Sequence, residues 1–364
     1  MILEQINPQL LALAEESDVV LKDIYKKIDT ICLSNSNRIL SAFIENRVSY
    51  SDFSDINGYG NYDEGRDKLE KIFATVLGCE DALVRPQIMS GTNAIYLALS
   101  ALLKHGDTMI SLSGTPYDSL QEMIGIIGHS SQSLKANGVH YEQIELVHDD
   151  FDDEKIIERL KENNVKLVEI QRSRGYSHRK SLSISKIERI ISKIREVNQD
   201  VIIMVDNCYG EFIETKEPTE VGADIMAGSL IKNPGGGLAL TGGYIAGRKD
   251  LVEMISYRLT TPGIGKECGL TFGTTRTVLQ GFFMAPYITS QAVMGAIYCA
   301  RMFEKLGYEV LPKYDDLRSD IIQVVRLKNA DEVIAFCQGV QAAAPVDSYV
   351  KPEPWAMPGY EDEV

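Results

Sequence analysis

From about residue 108 to residue 247 the chain alternates short apolar or β-branched runs with amphipathic stretches of helical period. The runs are TMISL near 108, IELV near 144, VKLVEI near 165, VIIMV near 201, DIMAGSL near 224 and GYIAG near 243. Near-continuous apolar runs suit strands buried on both faces, and the segments between them are long enough to cross over as helices. The combination predicts an α/β fold with a mostly parallel sheet and helices on both faces. Ligands of such sheets gather at the carboxyl ends of the strands, so chemistry is expected just after each run.

Outside this block the pattern changes. Apolar residues recur at helical spacing from Leu10 to about Arg47, which predicts a helical N-terminal arm or hairpin. SDFSDINGYGNY, at 51–62, has the composition of a loop, and a helix from about Asp63 to Leu77 is closed by Gly78 as a left-handed cap. A long apolar helix is expected from about Thr274 to Leu306. Short strands in GYEVL and IIQVVRL and a helix from Ala330 to Gln341 then predict a small α+β C-terminal domain, and the proline-rich tail from Pro345 has no period. A chain of 364 residues exceeds the roughly 250 to 300 at which single cores stop growing. The expected division is an arm and loop at 1–60, a large domain at 61–270, and a linking helix with a smaller domain at 271–364.

Charge removes several function classes. A formal net charge of -15 with no Lys/Arg-rich run repels phosphate backbones and anionic lipid, so neither nucleic acid nor a membrane is an expected partner. The N-terminal MILEQINPQLLALAEESD has no basic segment before its apolar stretch, and no window is long enough to span a bilayer; a cytoplasmic protein is expected. Six cysteines without a CxxC pair and five histidines without HxxxH or HExxH spacing predict buried free thiols and no metal centre.

Four places carry candidate chemistry. Asp206 follows VIIMV, where it is either a turn or cap aspartate or the carboxylate partner of a cation. Lys232, 26 residues later in SLIKNPGGG, is either a solvated loop lysine or an amine lowered in pKa by burial and able to add to carbonyls; Ser229 lies beside it and Gly235–Gly237 allow close approach. Ser90, Gly91 and Thr92 open an apolar helix, as an ordinary cap or as a phosphate site. Tyr117, after TMISL, is a core tyrosine or a ring that stacks on a planar heterocycle. Two rival glycine motifs fail. GYGNYDEG has Asp63 where a dinucleotide fingerprint needs its third glycine, and TPGIGKECG has Thr260 and Glu267 where a P-loop needs Gly and Ser or Thr, which disfavours a nucleotide-binding protein.

Together SGT, Tyr117, VDN and SLIKNPGGG resemble pyridoxal-phosphate enzymes of fold type I, in the cysteine/methionine-metabolism branch. The chain most resembles the methionine gamma-lyase-like, "aluminium resistance" family, through GYGNYDEGRDKLE, EDALVRPQIMSGTNAIYLAL, DNCYGEF and SLIKNPGGGLALTGGYIAGR. The resemblance implies pyridoxal 5'-phosphate as cofactor and carbon–sulfur lyase activity, β- or γ-elimination, on cystathionine, cysteine or a methionine-like amino acid. Lys232 would hold the cofactor as an internal aldimine and shuttle the Cα proton, Asp206 would pair with the pyridine nitrogen, and Tyr117 would stack on the ring. Ser90, Gly91, Thr92 and Ser229 would hold the phosphate.

In the related lyases a neighbouring subunit's tyrosine also reaches the phosphate, which implies a homodimer or homotetramer with Tyr59 or Tyr62 in that role. The related enzymes follow this tyrosine closely with an arginine; here the first arginine is Arg66, already on the helix, and Arg172 or Arg174 of EIQRSRGY would replace that contact. The chain departs from true methionine gamma-lyases in having Ser119 in place of a reactive cysteine, which points away from methionine. The family continues beyond PGYEDEV into a segment with an arginine for the substrate carboxylate, so a shortened chain without a complete pocket is a second expectation. The same apparatus supports aminotransferase or aldolase chemistry, and a relative that binds the cofactor without turnover is a further alternative.

Overall fold

The computed structural model describes residues 6–162 and 164–355. In chain order the elements begin with α1 (Pro8–Glu45), α2 (Glu64–Val76), β1 (Asp81–Arg85), α3 (Gly91–Leu102), β2 (Thr108–Ser111), α4 (Asp118–Ile124) and β3 (His140–Gln143). They continue with α5 (Asp153–Leu160), β4 (Val165–Gln171), α6 (Ile184–Val197), β5 (Ile202–Asp206), β6 (Ile225–Ser229) and β7 (Gly243–Gly247). Last come α7 (Lys249–Leu259), α8 (Thr275–Lys305), β8 (Glu309–Leu311), β9 (Val324–Arg326) and α9 (Ala330–Ala343). These residues sort into two compact units, one of residues 23–294 with 317–322 and one of residues 6–22, 295–316 and 323–355.

The larger unit holds a seven-stranded sheet in the order β1-β7-β6-β5-β4-β2-β3. Pairing is parallel from β6 through β5, β4 and β2 to β3, and β7 runs antiparallel to both of its neighbours. The expected mostly parallel α/β sheet is present. The antiparallel strand has a simple cause: between Ser229 and Gly243 the chain makes only a 3-10 turn at Asn233–Gly235, and a parallel return would need a crossover helix.

Alternation within each strand builds two cores. Ile203 and Val205 of β5 face one, with Val168, Ile170, Phe73 and the isoleucines of α6; Ile202 and Met204 face the other, with Leu167, Ile225, Ile245 and the apolar side of α3 and α7. Helix α6 shows why period outweighs propensity. Its β-branched Ile184, Ile187, Ile190, Ile191 and Ile194 are all buried at helical spacing, and Ser183 caps its start by accepting from Lys186 N–H. Helix α2 begins at its Asp63 cap, which accepts from Arg66 N–H at 2.9 Å, and ends before Gly78 at φ 64°.

Two strands lie elsewhere than expected. IELV follows β3, whose residues are His140–Gln143, because an edge strand needs no apolar run. Strand β1, in EDALVR, interrupts no apolar run and was not among the predicted strands; Glu70 Oε1 accepts from Val84 N–H and from Arg85 Nε, which fixes it. The N-terminal segment is one continuous helix of 38 residues, so the hairpin alternative is discarded.

The smaller unit contains the antiparallel β8–β9 pair and α9. Within it Arg301 binds Glu16 at 2.9 Å and lies over the Tyr314 ring, while Phe303 meets Tyr308 and Phe336 edge-on. Among the described residues no helix is long and apolar enough to cross a membrane. Of the six cysteines only Cys208 is buried, so the expectation of mostly buried thiols is corrected.

Candidate active site

The site lies where β5, β6 and the start of α3 meet. Asp206 closes β5 and Ser229 closes β6, and their parallel register puts both on the carboxyl edge of the sheet. Both are buried. Gly91 opens α3 and is the residue that lets the three elements meet: a Cβ there would stand 3.0 Å from Cys208 Sγ and 3.2 Å from Ser229 Cβ. Ser90 is the cap of that helix, its Oγ accepting from Asn93 N–H at 3.1 Å. The first N–H groups of the helix have no intrahelical acceptor, which with the helix dipole favours an anion. Ser229 Oγ, buried at the same place, has no hydrogen-bond partner among the described residues. An unmade bond of this kind costs about 1–3 kcal/mol, so the position is one a ligand improves.

Tyr117 stands on the loop after β2, two strands from β5 in the sheet order. Its N–H donates to Gln171 Oε1 at 3.1 Å, and its hydroxyl shares a hydrogen bond with Thr92 Oγ1 at 3.1 Å; Thr92 Oγ1 also meets Ser119 Oγ at 3.2 Å. Burial, reinforced by the Asp206 charge, holds the phenol well above its ordinary range, so it stays neutral. A cleft of about 440 Å³ opens alongside, lined among others by Ser90, Thr92, Asn93, Ser119 and Gln132.

Lys232 caps the 3-10 turn at Asn233–Gly235, with its Nζ 3.9 Å from the centroid of the Tyr209 ring. The expectation that burial lowers this lysine is corrected in part. Burial does pull its pKa down, but Cys208, Tyr209, Asp206 and Glu211 outweigh it and hold the amine above the ordinary lysine range. Asp206 shows the reciprocal balance: burial pushes its carboxyl up, and Lys232 opposes that, as does the N–H of Cys208, donated to Asp206 Oδ1 at 3.0 Å.

The segment DNCYGEF contributes more than its aspartate. Tyr209 and Phe212 hold φ of 68° and 64°, a left-handed backbone that costs a side-chain-bearing residue roughly 1–2 kcal/mol. Arg172 fixes this path by donating to Asn207 Oδ1 at 2.8 Å and Gly210 O at 2.9 Å, and it pairs with Glu214 at 3.0 Å. Arg174 turns to Ser177 O, at 3.0 Å from Nε and 2.6 Å from Nη2. The arginine whose charge reaches Asp206 is Arg179, which donates to Gln171 O and Ser173 O. Tyr209, Cys208, Glu211 and Arg179 escaped the sequence reading; for the first three the signal was their place within two to five residues of a strand-end aspartate.

Tyr59 and Tyr62 are apart from this group. They are 82% and 92% exposed on a loop that Arg66 anchors by donating to Gly60 O at 2.6 Å. Among the described residues no group of three or more His, Cys, Asp or Glu side chains is arranged to hold a metal.

The fold matches that of the pyridoxal-5'-phosphate-dependent protein YhfS from Escherichia coli, with a TM-score of 0.65 at 16% identity over 89% of this chain and 84% of that one. At that identity the likeness concerns the fold: a type I pyridoxal-phosphate architecture. The profile of the methionine gamma-lyase family matches residues 10–364, and the chain belongs to that family of lyases. A carbon-sulfur lyase involved in aluminum resistance from Clostridium novyi NT is 48% identical with a TM-score of 0.94, covering 96% of this chain and 84% of that one. A candidate cystathionine beta-lyase involved in aluminum resistance from Listeria monocytogenes is 47% identical with the same TM-score, over 97% and 87%. YnbB of Bacillus subtilis (strain 168) is 46% identical over 97% of this chain and 84% of its own length.

Proposed function

We propose that this enzyme is a pyridoxal-5'-phosphate-dependent carbon–sulfur lyase that eliminates a thiol from a sulfur amino acid such as cystathionine or cysteine. The observation that carries the reading is the meeting of an unpartnered, buried Ser229 Oγ with the glycine-opened start of α3, beside Asp206 and Lys232. The names of the Clostridium and Listeria relatives support the reaction class.

The residues fit the cofactor's three functional ends. Ser229, Gly91 and Thr92 would hold its phosphate, Lys232 its aldehyde carbon and Asp206 its ring nitrogen, with Tyr117 against the ring. When bound, the group supplies an electron sink for the pair left by the Cα–H bond. The chain supplies the rest. Asp206, buried beside Lys232, would keep a proton on its partner nitrogen; Lys232 Nζ, once it has given up its own proton, would take the proton from the substrate α-carbon; the neutral Tyr117 hydroxyl would donate without bringing charge to the site.

The exposed Tyr59 and Tyr62, together with Ile44, Phe283, Tyr287 and Ile288 exposed in the same unit, support assembly as a homodimer or homotetramer in which one copy completes the site of another. Small amino acids are the proposed substrates. The test is incubation of the purified protein, supplied with pyridoxal 5'-phosphate, with cystathionine, cysteine and methionine. Free thiol and 2-oxo acid are expected from at least one, with Lys232→Ala inactive and Lys232 the residue modified by borohydride. Bound cofactor without any product would overturn the lyase reading.

A further inference from the structure

One fully buried acid beside this site has no part in the roles above. Glu211 is 0% exposed, and its Oε1 accepts from the Tyr244 hydroxyl at 2.7 Å, while Oε2 has no partner among the described residues. Gly228 of β6 is pressed against both, because a Cβ there would stand 2.6 Å from Glu211 Oε1 and 2.8 Å from Tyr244 Cζ. The backbone of Glu211 is tied to the residue after Lys232, its carbonyl accepting from Asn233 Nδ2 at 3.0 Å. Glu211 and Lys232 each feel the other's charge. A neutral amide of the same shape would accept the Tyr244 bond equally well. What a carboxyl adds is a proton that can leave.

We propose that Glu211 is a positioning residue that sets the protonation of Lys232: held by Tyr244, it leaves Lys232 free to become an amine while neutral and fixes it as ammonium once ionised. The inference rests on the proposed role of Lys232. Further titratable groups face this pair. Asp206 lies on the β5 side with Cys208, whose thiol burial holds high; Tyr209 lies under the ammonium; Glu217 faces Glu211 and is answered by Arg172 at 3.6 Å. Glu211 is pushed to about 8, by burial opposed by the Tyr244 bond. Below that pH it is neutral and withdraws one of the charges that hold the Lys232 proton. Above it the charge returns.

The test follows Lys232 rather than turnover. The full chain, freed of bound aldehyde with hydroxylamine, is trace-labelled with acetic anhydride between pH 7 and pH 11, and the Lys232 peptide is quantified against the exposed Lys161. In Glu211→Gln the labelling profile of Lys232 is expected to move down by about one pH unit, roughly tenfold more label at a fixed pH on its rising limb, with Lys161 unmoved. Tyr244→Phe removes the bond that favours the ionised carboxyl and is expected to move the profile the same way by less. An unmoved or raised Lys232 profile in folded Glu211→Gln overturns the proposal, and if that variant does not fold, the same result in Tyr244→Phe does so. A shifted profile in a protein that releases no thiol would uphold the coupling and sink the lyase reading alone.

Discussion

Glu169 shows how burial can outweigh a hydrogen bond in setting a protonation state. Ser111 has one hydroxyl proton and two acceptors in reach, Gly114 O at 2.8 Å and Glu169 Oε2 at 3.1 Å. The hydroxyl that donates to Glu169 favours its ionised form, so this bond opposes protonation. Burial, with help from the Asp206 charge, outweighs it and pushes the carboxyl to about 8. The folded state therefore binds a proton that the unfolded chain releases above its ordinary carboxylate range, and stability falls as pH rises from about 4.5 to about 8. Glu169→Gln is expected to flatten this fall by on the order of a few kcal/mol, seen as a smaller drop in Tm between pH 5 and pH 8. Ser229→Ala separates binding from stability in the same way. Removing an unpartnered buried hydroxyl is expected to leave the cofactor-free protein as stable or up to about 1 kcal/mol more so, while cofactor affinity falls about tenfold, read by thermal shift and by fluorescence titration. Asp206 and Lys232 were legible because strand ends can be counted from apolar runs. Tyr209 and Glu211 were not, because a left-handed tyrosine and a buried acid arise only where separate segments cross.

Among elements, the legible strands were the apolar ones. Strands β2, β4, β5 and β6 are buried on both faces, and their runs announce it; β3 sits on the edge and β1 is held by a side chain rather than by its own composition. Arg85 at the end of β1 donates to Glu70 Oε1 at 2.6 Å in a buried setting, and to Cys268 O at 2.8 Å and Lys266 O at 2.9 Å in a half-buried one. It thus ties helix α2, the sheet and the loop after α7 together through one guanidinium. Arg85→Ala is expected to cost about 3 kcal/mol or more, because Glu70 is left buried with the Val84 N–H at 3.1 Å and Lys266 at 3.3 Å as its remaining partners. Urea unfolding measures this. Adding Glu70→Leu to Arg85→Ala is expected to recover part of the loss; a double variant no more stable than Arg85→Ala alone would show that the backbone contacts, rather than the stranded carboxylate, carry the cost.

At the scale of the whole molecule, the exposed tyrosines make most sense outside their own chain. Tyr59 and Tyr62 lie on a loop that Arg66 anchors through Gly60 O, and both are largely exposed. A fixed, exposed aromatic loop costs stability that a partner surface repays, and a closed pair of identical chains offers each site one loop from its neighbour. This arrangement predicts complementation. Tyr59→Phe/Tyr62→Phe and Lys232→Ala are each expected to be nearly inactive as homo-oligomers, since every site lacks one contributor. Mixed by partial unfolding and refolding, random pairing makes half the dimers hybrid, and each hybrid combines both lesions in one site and frees the other of both. Activity should then return to about a quarter of the wild-type level, with hybrids counted by native mass spectrometry. If hybrids form and activity does not return, the tyrosines act within their own chain or not at all, and the exposed loop needs a different occupant.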